Sequence, residues 1–309
     1  KKHEAEGDEE RQLLLRRLGY AAHKGAAEEK SGDVIRCASE LLSRLVKGDF
    51  ICVIGPPACG KTITMFQTTC AAVAEVKAQL ETRVCRSTPR LPIFMRAAEL
   101  TKILAATDSA NVQSLEALVQ LHISDKYQNE PATTHLLTEV LKLKRVLILI
   151  DGLDEAAKYR STIEGWIDQA IEGWIDQATY DQNVGLMVST REYAFESSRA
   201  CRRLSEFVPV KIQELDEGAS DRLIATRFQG SLSSVRQGFS EQLDSVVQYY
   251  PEMKRSPLML CLLIEVFKRE RAIPSKRHLL YQELVRGLAS SHMAKHDTGK
   301  RRSRRLQGS

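Results

Sequence analysis

The chain has 309 residues, of which 43% are hydrophobic and 28% charged, and its net charge is +5. That length allows two ordinary domains or one domain with an annex, and the composition is typical of a soluble globular protein and excludes a disordered or fibrous one. No stretch approaches ~20 uninterrupted apolar residues, so no transmembrane helix is expected.

The seven cysteines, Cys37, Cys52, Cys59, Cys70, Cys85, Cys201 and Cys261, form no C-x-x-C pair and no metal-ligand spacing with histidine. An odd, scattered set without a secretory signal points to a reducing, cytoplasmic compartment. The chain opens at Lys1 instead of a methionine, which suggests a piece of something longer.

Residues 1–48 are charged and rich in Ala and Leu, and RQLLLRRLGYAA and ASELLSRLVKG within them have helical spacing. They read as a helical leader that Gly48 closes. FICVI (50–54) is then a short buried strand, and LPIFM (91–95), VLILI (146–150), GLMVST (185–190) and FVPVKI (207–212) share its character. Residues 63–80, 98–107, 112–127, 135–143 and 163–179 read as helices between these strands. Brief aliphatic strands separated by helices imply an α/β three-layer sandwich around a five-stranded parallel sheet.

After Ile212 the strand character ends, and 216–228, 231–250, 257–269 and 276–293 are helical, broken by Gly230, Pro251, Pro257 and Pro274. The expected organisation is a leader at 1–48, a sheet domain at 49–213, a small all-α subdomain at 214–294 and a basic tail at 295–309. The tail, KHDTGKRRSRRLQGS, reads as a solvated end, with a patch for nucleic acid or anionic lipid as the alternative. One oddity is IEGWIDQA at 163–170, repeated at once at 171–178. An eight-residue period turns about 80° on a helix, so Trp166 and Trp174 are not expected to share a face. The repeat reads as a lengthening of a peripheral helix.

GPPACGKT (55–62) fits G-x-x-x-x-G-K-[ST], between a buried strand and a helix. Gly55, Pro56, Pro57, Ala58, Cys59, Gly60, Lys61, Thr62 and Ile63 are therefore the expected phosphate-binding stretch. Its glycines let backbone amides curl around phosphates, Lys61 adds charge, Thr62 offers a hydroxyl to Mg²⁺, and the helix start adds its positive dipole end. A magnesium nucleotide needs a second acid at a strand end, and Asp151 follows the aliphatic run VLILI. Asp154 or Glu155 can orient or deprotonate a water. GLMVSTRE ends a further strand in Ser189, Thr190 and Arg191. In a sheet where the phosphate strand is flanked by the acidic strand and this one, Arg191 would point at the γ-phosphate.

GPPACGKT, LPIFMRAAEL, VLILIDGLDEA, VGLMVSTRE, FVPVKIQEL, SPLMLCLLIEVF and HLLYQELVRGLA resemble, in order and spacing, a NACHT domain. NACHT domains belong to the STAND signalling NTPases, relatives of the AAA+ ATPases, and the resemblance runs from about Asp49 to Ala289. It implies that Lys61 and Thr62 bind phosphate and Mg²⁺ and that Asp151 holds the metal. Asp154 or Glu155 would support hydrolysis, Arg191 would sense the γ-phosphate, and Pro257 would pack on adenine. A proline in a first helical turn is also ordinary helix chemistry. The winged-helix domain usual in the family, and the effector and sensor domains, are expected outside this sequence.

The leading expectation is an ATP/ADP switch with slow Mg²⁺-dependent hydrolysis and self-association into a homo-oligomer on activation. An AAA+-type motor or loader acting on nucleic acid or protein is one rival, with little support beyond the basic tail. A non-catalytic nucleotide-binding scaffold is the other, and the Asp154–Glu155 pair speaks against it. A P-loop kinase fits poorly, since nothing resembles an acceptor-binding lid.

Overall fold

Val, Ile, Leu, Met and Phe dominate the five aliphatic runs, and turn residues bound them, which favours strands. The computed structural model describes residue 35 and residues 37–82, 90–107, 112–176, 184–276, 278–283 and 285–286. Its strands are β1 (Phe50–Ile54), β2 (Leu91–Arg96), β3 (Val146–Asp151), β4 (Gly185–Thr190) and β5 (Val208–Lys211). They form one sheet in the order β2-β3-β4-β1-β5, and every pairing is parallel. β1, β3 and β4 are buried along their whole length, as strands covered on both faces must be, whereas β5 alternates as an edge.

The order corrects one expectation. Strand β1, which leads into GPPACGKT, lies between β4 and β5, and β3, which ends in Asp151, is one place further out. Neighbouring strands are about 4.8 Å apart, so Asp151 and the end of β1 are separated by roughly twice that.

The helices around the sheet are α1 (Ala38–Val46), α2 (Lys61–Thr82), α3 (Ala97–Ala106), α4 (Leu115–Lys126), α5 (Pro131–Lys142), α6 (Arg160–Asp176) and α7 (Glu192–Ala200). A 3₁₀ stretch, Leu153–Tyr159, leads into α6. The crossover from β1 to β2 runs one way along the sheet, and the other three run the opposite way. Right-handed connections then put α2 on one face and α3 to α7 on the other. α1 packs on α2 and β4, so this piece of the stretch read as a leader belongs with the sheet, and residues from Cys37 on fall in one compact unit.

α6 and α7 are tied by a buried acid. Glu164 is 3% exposed and accepts from Arg160 Nε and Ser198 Oγ, each at 2.7 Å, while Arg160 also donates to Ser198 Oγ at 2.7 Å and to the Ala194 carbonyl. Trp166 and Trp174 both line one cavity of about 250 Å³, with Ser114, Glu116, Lys144 and Gln169. This differs from the expectation of separate faces, because two large rings offset by about 80° still reach a common space. Trp174 also lies against Phe50, with ring centroids 6.3 Å apart.

Beyond β5 the chain is helical: α8 (Glu217–Arg227), α9 (Ser233–Val247), α10 (Glu252–Arg255) and α11 (Pro257–Glu270). Phe239 packs against Phe228 and Phe267 with centroids 5.1 and 5.3 Å away, at the centre of a core distinct from the sheet's. RQLLLRRLGYAA and the tail at 295–309 lie outside the described residues.

Two stability predictions follow from these contacts. A Cβ on Gly185 would sit 2.5 Å from Leu147 Cδ2 and 3.1 Å from the Leu45 carbonyl. Gly185→Ala should therefore destabilise the fold by about 1–3 kcal/mol, read from the denaturation midpoint. His122 is 2% exposed with no partner for Nε2 among the described residues, and burial first, then Lys126, pushes its pKa below the usual value. The unfolded chain binds the extra proton, so stability should fall as pH drops below about 6.5 toward the lowered value. His122→Gln should flatten that part of a stability–pH profile.

Candidate functional site

The turn after β1 takes its shape from close contacts. A Cβ on Gly55 would lie 2.7 Å from Cys59 Sγ, so only glycine lets the buried thiol close the loop. Pro56 and Pro57 bring no amide and a fixed φ. Ala58 and Gly60 then adopt left-handed backbone, φ 65° and 107°, and α2 begins at Lys61. The amides of residues 58–63 donate to no acceptor among the described residues, in part because a helix leaves its first N–H groups free. Lys61 Nζ donates to the carbonyls of Gly55 and Pro56 at 2.8 and 2.9 Å, which holds the ammonium across its own loop.

Two strands away, Asp151 ends β3 and is 7% exposed. Ser189 Oγ donates to Asp151 Oδ1 at 2.6 Å and accepts from the Gly152 amide at 2.8 Å. This wholly buried hydroxyl joins the ends of β3 and β4 and leaves Asp151 Oδ2 for another partner. Gly152 turns left-handed, φ 72° and ψ 48°, and sends the chain into the 3₁₀ stretch that carries Asp154 and Glu155.

The paired acids have unlike surroundings. Asp154, with a side chain 6% exposed, pairs through Oδ2 with Arg191 Nε at 2.9 Å, and its Oδ1 accepts from Thr190 Oγ1 at 3.4 Å. Glu155 is exposed and makes no ion pair or hydrogen bond through its side chain among the described residues. Arg191 thus caps β4 with its Nε on Asp154 and its remaining N–H donors unassigned, at 43% side-chain exposure.

β1 and β4 are neighbours whose onward connections leave in opposite directions. Their shared carboxyl edge is the topological switch point, where open α/β sheets bind ligands. Thr190 is level with Ile54, so Arg191 and Gly55 leave that edge side by side. Arg96, exposed and level with Asp151, adds a cation to the same edge.

The helical half reaches the loop as well. Pro257 is the first residue of α11, and the capping Ser256 accepts from the Met259 amide and directs its hydroxyl at the Ala58 carbonyl, 3.5 Å away. The Leu215 amide donates to the Arg255 carbonyl at 2.9 Å, which holds the connection after β5 beside this cap.

The structure therefore brings the loop (55–63), Asp151, Asp154, Glu155 and Arg191 to one sheet edge and sets Pro257 beside it. Ser189 and Ser256 had no role in the sequence reading; a small hydroxyl at the last inward position of a strand is the signal for the first. Among the described residues no cluster of three His, Cys, Asp or Glu side chains could hold a metal alone, the six cysteines are free, and no helix is long and apolar enough to cross a membrane. Neither a family model nor a curated protein matches the chain.

Ser189→Ala would strand a buried carboxylate oxygen and a buried amide together. The expected cost is about 1–3 kcal/mol, measured by urea denaturation against wild type.

Proposed function

We propose that this chain is an ATP-binding regulatory switch of the NACHT or STAND kind, with slow magnesium-dependent hydrolysis. The observation that carries the reading is the meeting of phosphate loop, strand-end acids and Arg191 at one switch point, with the cap of α11 on the loop. A triphosphate would take the free amides of residues 58–63, and Lys61 would exchange two neutral carbonyls for charged oxygens, a stronger bond.

Asp151, through Oδ2, and the Thr62 hydroxyl would hold Mg²⁺. One carboxylate and one hydroxyl suit an ion that otherwise keeps water and phosphate oxygens. When bound, the ion supplies charge neutralisation on the β- and γ-phosphates.

The surroundings of the acids divide their roles. Asp154 is committed to Arg191, so it positions that guanidinium. Glu155 is left to accept the proton of a water attacking the γ-phosphorus, as the bond to the bridging oxygen breaks and ADP leaves. The spare N–H donors of Arg191 would bond the γ-phosphate, which makes its pairing with Asp154 sensitive to nucleotide state. Pro257 would meet the base and carry that state to the helical half. Control of self-association, and a reducing cytoplasmic setting, belong to the same reading.

Lys61→Ala should weaken ATP binding by about tenfold or more, because the charged donor to phosphate is lost. Glu155→Gln should keep affinity and slow single-turnover hydrolysis by about a hundredfold. Unchanged affinity in Lys61→Ala would sink the nucleotide reading, and a wild-type rate in Glu155→Gln would leave only a binding scaffold.

A further inference from the structure

Helix α2 is apolar on two sides. Met65, Thr68 and Ala72 are buried toward the sheet, yet Ile63, Phe66, Val73 and Leu80 are 60%, 56%, 52% and 67% exposed, and Cys70 is exposed between them. With Lys77, these residues follow one another in alternating steps of three and four, the spacing of a coiled-coil seam. The seam spans a 22-residue helix, about 33 Å long. A largely apolar exposed stripe of this kind, interrupted once by Lys77, marks an interaction site.

We propose that this stripe is a self-association surface, on which α2 of a second copy packs antiparallel. The flanks of the seam point to a copy of the same chain. Thr62, Gln67, Thr69, Ala74 and Val76 carry no charge and Glu81 alone does, so two identical stripes meet without like-charge opposition. A partner selected by charge would find almost nothing to read there.

Antiparallel pairing follows from the sequence of the seam. Ile63 then faces Leu80 of the second copy, Cys70 faces Val73, and Phe66 faces Lys77, whose stem and ammonium suit an aromatic ring. A parallel pair would instead set Lys77 against Lys77. The antiparallel arrangement also lays the Lys61 end of one helix beside the Glu81 end of the other and opposes their dipoles. This surface rests on exposure and spacing, independently of the nucleotide reading.

Sedimentation velocity on the full chain, under reductant and without nucleotide, tests the proposal over a range of concentrations. A reversible dimer is expected. Val73→Glu, at the centre of the seam, should raise its dissociation constant about a hundredfold, since it replaces an apolar contact with Cys70 of the second copy and sets two carboxylates near the dyad. Phe66→Lys would face Lys77 and should weaken the dimer by about tenfold or more, and Phe66→Glu should weaken it less. Both sites are exposed, so the melting temperature should stay near wild type. A monomer at every concentration, or a dimer indifferent to Val73→Glu, overturns the surface. Equal losses in Phe66→Lys and Phe66→Glu overturn the antiparallel arrangement.

Discussion

One buried hydroxyl fixes the geometry on which the candidate site depends. Ser189 stands in β4, between the strand that carries the loop and the strand that carries the acids. It donates to Asp151 and accepts from the Gly152 amide, so the ends of β3 and β4 are set level at the point where the chain turns. A carboxylate 7% exposed needs such a partner, because a buried polar group left without a hydrogen bond is costly. The next two residues continue the same work, since Thr190 and Arg191 both reach Asp154. Three consecutive residues, the last two of β4 and the one after it, thus arrange Asp151 at the end of β3 and Asp154 in the turn beyond it.

The switch-point topology gives that arrangement its direction. The connections after β1 and β4 leave in opposite directions, and the free amides of α2's first turn lie where they part. The cap at Ser256 reaches the same loop through Ala58. The far face of α2 has a different character, exposed and largely apolar.

The strands were legible because burial on both faces leaves mostly apolar residues in β1, β3 and β4, and β1 and β4 match their expected limits. Strand order was not legible, since it depends on which crossover skips a neighbour, and nothing local in VLILI or GLMVST records that. Helix α7 was missed because EYAFESSRA is mostly polar and buries only Ala194, Phe195 and Ser198. The loop, Asp151 and Arg191 were read from their types and places after aliphatic runs. Asp154 and Glu155 could not be told apart, because their difference lies in Arg191, which is remote in sequence. The contact of Ser256 with Ala58 spans 198 residues and leaves no local trace.

The tie between α6 and α7 has a mechanical consequence. Glu164, Arg160 and Ser198 bolt together the two helices that begin just after the acids and just after Arg191. The acids and the arginine therefore travel as a single rigid block with the sheet. The joint between that block and the helical half is slighter: a run without regular structure at 212–216 and the long contact from Ser256.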